Sequence, residues 1–78
     1  MTVTAYVLIQ TEVGRAERVA TAARGIAGVI ASDNVAGPYD VIVKAEAQSL
    51  DDLGKLVVSE LQKVDGITRT FTCPIVNL

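Results

Sequence analysis

The chain has 78 residues, half of them hydrophobic, and a formal net charge of −2 from seven Lys or Arg against nine Asp or Glu. A single domain of this length buries only about 60% of the surface of its unfolded chain, so this much apolar content predicts an oligomer. Histidine is absent and Cys73 is the only cysteine. Without them the chain offers no disulfide, zinc-type ligand set or histidine-activated nucleophile. We therefore expect no metal, no cofactor and no enzymatic activity.

The charge and apolar patterns also argue against nucleic acid and membrane as direct partners. The basic residues are scattered, with no run and no aromatic interleaving, so no nucleic-acid-binding face is expected. They are Arg15, Arg18, Arg24, Lys44, Lys55, Lys63 and Arg69. No apolar run approaches the ~20 residues of a membrane span, and no basic segment precedes an apolar one at the N-terminus. A cytoplasmic location is the resulting expectation.

The first half of the chain has the pattern of a strand, a helix and a second strand. Residues 2–10 are apolar on both faces near their middle, which is typical of a central strand. Apolar residues at helical spacing predict a helix over residues 14–27. Gly28 is the expected C-terminal residue of this helix, because glycine tolerates a left-handed backbone. Polar residues interrupt the strand predicted at residues 29–35, which favours an edge position.

The second half repeats this order after a turn at residues 35–40. Residues 40–47 alternate most regularly and predict a strand. Ser49 is a suitable N-cap for a second helix, which the apolar spacing extends to Gly66 through Leu61 and Val64. Gly54 inside this helix costs roughly 1 kcal/mol relative to alanine and hints at close packing there.

The last strand is predicted at residues 67–76. Pro74 marks its far end as an edge or an overhang, because proline cannot donate a ladder hydrogen bond. The complete order is βαββαβ, which predicts an α+β, ferredoxin-like sandwich: a four-stranded antiparallel sheet with two helices on one face. The other face is then uncovered, and we expect it to carry Tyr6, Leu8, Ile42 and Val76. Each of these is worth roughly 1.5–3 kcal/mol if buried, so a homodimer formed through the sheet is expected.

The signatures of other ferredoxin-like proteins are missing from the sequence. A metallochaperone needs paired cysteines, whereas Cys73 is alone and is expected to be a small buried hydrophobe. An RNA-binding sheet needs stacked aromatic residues on its central strands, and the few aromatic residues do not form that pattern. The neighbouring Asp51 and Asp52 are explained by the dipole at the start of the second helix.

Five segments of the chain carry a family resemblance by their order and spacing: AYVLI at residues 5–9, GV at 28–29, GPYDVIV at 37–43, SLDDL at 49–53 and VDGITRTFT at 64–72. With these segments the chain resembles the ligand-binding regulatory domain of the Lrp/AsnC transcription factors, called the RAM domain. Full-length members of that family carry an N-terminal helix-turn-helix. We expect a stand-alone RAM domain over residues 1–78 that lacks it.

The resemblance implies dimers that assemble into rings and bind amino-acid effectors where dimers meet. Carried over residue by residue, it implies a ligand site formed by Gly37, Tyr39 and Asp40, with Thr70 and Thr72 of the last strand. In this interpretation Gly37 exposes backbone polar groups, Asp40 accepts an α-ammonium group, and the threonine hydroxyls bind a carboxylate.

Two interpretations of the function stay open from the sequence. In the first, the domain senses an amino acid or a related metabolite. In the second, it is an assembly partner that modulates a full-length Lrp/AsnC transcription factor without binding an effector. The residues themselves allow the second interpretation, because Asp40 can brace the turn and Thr70 and Thr72 can be ordinary strand formers.

Overall fold

The structure, a computed structural model, describes residues 2–77 and confirms the βαββαβ order. The elements are β1 (Val3–Thr11), α1 (Ala16–Arg24), β2 (Val29–Asn34), β3 (Val41–Ala47), α2 (Leu50–Ser59) and β4 (Ile67–Pro74), with a 3-10 helix (Leu61–Lys63) between α2 and β4. The strands form one antiparallel sheet in the order β2-β3-β1-β4. Both helices pack on one face of this sheet, as the ferredoxin-like prediction requires.

The core lies between that face and the helices. Because side chains alternate along a strand, every second residue of β1 and β3 points toward the helices. These residues are Ala5, Val7, Ile9, Val41, Val43 and Ala45, and all are fully buried. The helical layer contributes Val19, Ala20, Ala23, Leu53, Val57 and Leu61 to the same cluster.

The predicted edge position of β2 is confirmed, because among residues 2–77 β2 pairs only with β3. Its polar residue Ser32 points inward and is only 4% exposed. The Ser32 hydroxyl donates to the carbonyl of Ala20 at 3.0 Å, and Arg24 Nη2 donates to the carbonyl of Ser32 at 2.8 Å. The polar residue that interrupts the strand pattern therefore fastens α1 to the edge of the sheet.

The first helix is shorter than the predicted span of residues 14–27. It ends at Arg24, where Gly25 N and Ile26 N each donate to the carbonyl three residues earlier, at 3.1 Å. These tighter bonds close the last turn and end the α-helix. Gly28 is therefore not the helix terminus. It lies in the turn before β2 with φ +97°, and its carbonyl accepts from Glu46 N at 2.8 Å.

The start of the second helix is as predicted, because the Ser49 hydroxyl accepts from Asp52 N at 3.1 Å. Its end is not. α2 stops at Ser59, and the chain then forms the 3-10 helix that keeps Leu61 buried. Gly66, with φ +101°, lies in the turn before β4. Within the subunit the close packing predicted at Gly54 is not found, because a β-carbon there would meet nothing within 4 Å.

Two of the predicted strand ends also differ. β2 ends at Asn34, so Val35 belongs to the loop, where its N–H donates to the carbonyl of Asp40 at 3.0 Å. β4 ends at Pro74, although Ile75 N still donates to the carbonyl of Thr4 at 2.8 Å. Val76 therefore lies beyond the sheet and is exposed, rather than on the face where we placed it.

Candidate functional site

The face of the sheet opposite the helices, here called the open face, carries large side chains without cover. The cross-strand register places on it Tyr6, Leu8 and Gln10 of β1, Ile42 and Lys44 of β3, and Arg69, Phe71 and Cys73 of β4. Tyr6 and Phe71 are 41% and 43% exposed, while Leu8 and Ile42 are half-buried. The Lys44 ammonium lies 5.9 Å from the centroid of the Tyr6 ring.

The exposure of Cys73 corrects the prediction that it is buried. It lies opposite Tyr6 on an edge strand, on the face that no helix covers.

The loop between β2 and β3 lies at one end of the open face and contains three of the five predicted site residues. Asp40 N donates to the carbonyl of Ile9 at 2.9 Å, which fixes the end of the loop to β1. Gly37 is exposed, has φ +146°, and a β-carbon there would meet nothing within 4 Å. A side chain at position 37 would therefore be disfavoured by the backbone angle and not by a lack of space. The backbone groups of Gly37 are also open to an approaching molecule.

The Asp40 carboxylate braces this loop through one of its oxygens. Oδ2 accepts from Thr11 N at 2.8 Å and from the Thr11 hydroxyl at 3.3 Å. Gln10 Nε2 donates to the carbonyl of Pro38 at 3.1 Å, so the end of β1 holds the loop at two points. The register of β1 with β4 shifts between Gln10 and Thr11, an irregularity that re-aims side chains. Within residues 2–77, Asp40 Oδ1 has no hydrogen-bond partner.

Tyr39 reaches over the open face to β4. Its ring centroid lies 5.8 Å from that of Phe71 at an interplanar angle of 75°, an edge-to-face contact. The guanidinium carbon of Arg69 lies 5.6 Å from the centroid of the same Phe71 ring. Arg69 is also the cross-strand neighbour of Gln10. We call Gln10, Tyr39, Asp40, Arg69 and Phe71 the corner cluster.

Thr70 and Thr72 lie away from this cluster. They pair with Ile9 and Val7, whose side chains point toward the helices, so the two threonines lie on the helix side of β4. The Thr70 hydroxyl accepts from Gln62 Nε2 at 3.1 Å, in a groove of about 270 Å³ formed by Gln62 and residues 67–70. Within one subunit the structure therefore brings Gly37, Tyr39 and Asp40 together without the threonines.

Sequence reasoning missed Gln10, Thr11, Arg69 and Phe71 as neighbours of the loop. The alternation of Arg69 and Phe71, two residues apart in a strand, does indicate that they share a face. Their proximity to Tyr39 depends on the strand order and the register.

In the described part of the chain, no three His, Cys, Asp or Glu side chains are grouped as metal ligands. None of the helices within residues 2–77 is long and apolar enough to cross a membrane.

Fold and loop together define a ferredoxin-like α+β domain with a glycine-containing loop at the end of an uncovered sheet. The chain belongs to the Lrp/AsnC ligand binding domain family, whose model matches residues 4–77. The family resemblance read from the sequence is therefore confirmed. The family is a ligand-binding regulatory domain of transcriptional regulators rather than an enzyme family.

Individual relatives agree with this assignment. The chain is 33% identical over 76 residues to an uncharacterized HTH-type transcriptional regulator, PF0250, from Pyrococcus furiosus, an alignment covering 88% of this chain and 48% of that protein. The chain thus spans about half the length of the curated relatives it matches. The crystal structure of TTHA0845 from Thermus thermophilus superposes with a TM-score of 0.90 at 25% identity, covering 97% of this chain and 95% of that one.

A third similar structure is the transcriptional regulator NMB0573 from Neisseria meningitidis in complex with L-Met. It has a TM-score of 0.84, and the match covers 96% of this chain and 50% of that one. At 14% identity this likeness shows the fold alone.

Proposed function

We propose that this chain is a regulatory domain that binds an amino acid and acts as an oligomer. The observation that carries the proposal is the loop at the end of the open face. There, an exposed glycine backbone, a carboxylate with one unbonded oxygen and an edge-to-face aromatic pair meet. Membership of a regulatory ligand-binding family and the L-Met complex of a protein with this fold support the choice of ligand class.

Each residue of the loop has a proposed role in the site. Asp40 Oδ1 accepts a hydrogen bond from the α-ammonium group, a charge-assisted bond that contributes roughly 1.5–3 kcal/mol. Gly37 presents backbone groups to the ligand, and the Tyr39 ring packs against its side chain. Thr70 and Thr72 face the other side of their own sheet, so in this proposal they reach a ligand only from a neighbouring subunit.

The proposed assembly is a homodimer that buries the open face, with dimers joined into a ring. Contiguous apolar patches of more than a few hundred Å² are unusual on soluble monomers, and the open face carries Tyr6, Leu8, Ile42 and Phe71 on three adjacent strands. A two-fold contact covers this patch on both copies at once. The proposed setting is the cytoplasm, where regulators of transcription act.

Thermal-shift measurements with the twenty common L-amino acids at millimolar concentration test the proposed function. We expect at least one amino acid to raise the melting temperature, because a ligand at 100 times its Kd stabilises the folded state by about 2.7 kcal/mol. If none does, the effector-binding function is wrong.

Two variants of Asp40 distinguish its proposed role in binding the amino acid from its role in bracing the loop between β2 and β3. Asp40→Asn keeps an oxygen that accepts from Thr11 N but removes the charge, whereas Asp40→Ala removes both. We expect both variants to lose affinity for the amino acid, and only Asp40→Ala to lose stability as well. An unchanged affinity in Asp40→Asn would limit Asp40 to bracing the loop.

A second candidate function is favoured by the bonds from Thr11, which already give Asp40 a structural role. In this alternative the domain modulates a full-length Lrp/AsnC regulator by mixed assembly and binds no effector. Co-purification with such a regulator, combined with no thermal response to any amino acid, is the result that favours it.

A further inference from the structure

A row of exposed apolar side chains runs along the outer surface of α2. Leu50 and Val58 are 60% and 63% exposed. Gly54 lies midway between them, and a β-carbon there would meet nothing within 4 Å. Residues four apart in a helix share a face, so these three residues form one row, here called the α2 row. Within residues 2–77 this row has no cover.

Gly54 is the residue of the α2 row that the subunit alone does not explain. Glycine in a helix interior is destabilising relative to alanine, and the subunit has room for a side chain at this position. A glycine does allow a second helix to come close, because the distance between two packed helices depends on the side chains at their crossing point. The α2 row is therefore suited to a helix that packs across Gly54.

The charges beside the α2 row indicate what that second helix carries. Asp51 and Lys55 are exposed along one flank of the row, while the other flank carries the buried Leu53 and Val57. Within residues 2–77, Asp51 and Lys55 form no ion pair. The matching partner is a helix with an apolar row that is flanked by one basic and one acidic residue. α2 of a second copy offers this pattern when its direction is reversed.

We propose that α2 packs antiparallel against α2 of a second copy, with the two helices crossing at Gly54. Leu50 lies four residues before Gly54, and Val58 lies four residues after it. A two-fold axis at the crossing point therefore places Leu50 of each copy against Val58 of the other. It also places Asp51 of one copy beside Lys55 of the other, about 3 Å apart along the helix axis. Because the contact is two-fold, each of these pairs forms twice.

The antiparallel direction is favoured over the parallel one. The dipoles of antiparallel neighbouring helices oppose each other. A parallel pair would align the two dipoles and bring together two acidic helix N-termini, each carrying Asp51 and Asp52. It would also place Leu50 against Leu50 and Val58 against Val58, a difference that an experiment can detect.

The α2 contact goes beyond the proposed function, because it requires no bound amino acid. It lies in the helical layer, whereas the open face lies on the opposite side of the sheet. One subunit can therefore form both contacts at once. A dimer formed through the open face carries one α2 row on each of its two outer sides, so α2 contacts can join such dimers to one another.

Engineered cysteines test the proposed register. The background is Cys73→Ser, which removes the exposed native thiol. Leu50→Cys, Val58→Cys or both are introduced into it. Positions 50 and 58 of one chain are about 12 Å apart, whereas a disulfide bridges α-carbons no more than ~7 Å apart. Any disulfide between these two positions therefore joins two chains.

We expect the double variant to form a covalent dimer under mild oxidation, measured by non-reducing electrophoresis. Each single variant should stay uncrosslinked, because equal positions of the antiparallel pair are also about 12 Å apart. A covalent dimer of Leu50→Cys alone would indicate a parallel pair. No covalent dimer of the double variant would indicate that the α2 rows do not meet. Either result overturns the proposal.

Light scattering on Val58→Glu and Ser59→Glu tests the contact without cysteines. Both substitutions add one carboxylate to the last turn of α2, but Ser59 points about 100° away from Val58 around the helix. We expect Val58→Glu to reduce the mass of the assembly to two chains, held by the open face, and Ser59→Glu to keep the wild-type mass. Circular dichroism shows whether each variant is folded. A folded Val58→Glu with the wild-type mass overturns the proposal.

Gly54→Ala should have opposite effects on the subunit and on the contact. Alanine favours the helix of a separate subunit, whereas in the pair its methyl groups meet at the crossing point and move the helices apart. The stabilisation by Gly54→Ala should therefore shrink as the protein concentration rises, measured by thermal denaturation. A stabilisation that stays constant would contradict the α2 contact.

The α2 contact and the proposed function can fail separately. If the double cysteine variant does not cross-link while an amino acid still stabilises the wild type, the α2 contact is wrong and the proposed function survives. If the cross-link forms and no amino acid stabilises the wild type, only the effector-binding function fails.

Discussion

The two faces of the sheet are built on the same backbone but differ in what covers them. On the helix side, alternate residues of β1 and β3 are completely buried. On the open face, Tyr6 and Phe71 remain more than two-fifths exposed. Within residues 2–77 the helices cover one face of the sheet. The sequence nevertheless gives the sheet two apolar faces, which is why we propose that another subunit covers the open face.

Truncating one isoleucine on each face gives the largest expected effect. Ile9→Ala removes a fully buried side chain on the helix side and should cost about 2–5 kcal/mol at any protein concentration. Ile42→Ala removes a half-buried side chain on the open face. Its cost should depend on concentration, because the contact that it weakens lies between subunits.

Chemical denaturation at two protein concentrations measures this difference. A cost for Ile42→Ala that stays constant from micromolar concentrations to a hundredfold higher would contradict the proposal that the open face is buried in an oligomer.

Introducing a charge on the open face should have the next largest effect. Leu8→Glu places a carboxylate in the middle of the apolar row formed by Leu8, Ile42 and Phe71. A desolvated and unpaired carboxylate is costly, so the oligomer should dissociate or the protein should unfold. Val13→Glu is the control, because Val13 is fully exposed in the turn after β1.

Light scattering on the purified proteins decides the outcome. We expect a multiple of 8.2 kDa for the wild type and Val13→Glu, and a lower mass for any folded Leu8→Glu. A monomeric wild type at micromolar concentration would contradict the proposed assembly.

The sequence is sufficient to predict the elements, their order and the two-faced sheet, because these depend on local periodicity. The N-cap at Ser49 is also local and is confirmed. The ends of the helices are not predictable in this way. Apolar spacing continues past Arg24 and Ser59, while the choice between α-helical and 3-10 bonding at each end depends on how the chain must turn toward β2 or β4.

The candidate site is even less accessible from the sequence. Thr11 and Asp40 are 29 positions apart, and only the pairing of β1 with β3 brings them together. Tyr39 meets Phe71 only because β4 lies beside β1. Family resemblance pointed to the loop, but the face on which each residue of β4 lies depends on its pairing with β1, and a one-residue slip in that pairing would reverse every face.

The smallest expected effect is that of Gly54→Ala, which we compare with Gly28→Ala. Both glycines lie on the helix side of the sheet: Gly28 lies between the sheet and α2, and Gly54 lies on the outer surface of α2. Gly28 has φ +97°, and a β-carbon there would clash with the Leu56 side chain and lie 3.1 Å from the carbonyl oxygen of Glu46. Gly28→Ala should therefore destabilise the domain. Gly54 lies within α2, and a β-carbon there meets nothing within 4 Å of the subunit. Gly54→Ala should stabilise the helix by about 0.5–1 kcal/mol.

In a domain of this size each kcal/mol shifts the melting temperature by about 4–8 °C, so scanning calorimetry resolves even the smaller change. The sign of the Gly54→Ala effect also distinguishes the two faces in the assembled protein. A stabilisation that is the same at all concentrations means that the outer surface of α2 stays in solvent. A destabilisation that grows with concentration would mean that a neighbouring subunit packs against Gly54. In that case the helix side, and not only the open face, would take part in the assembly.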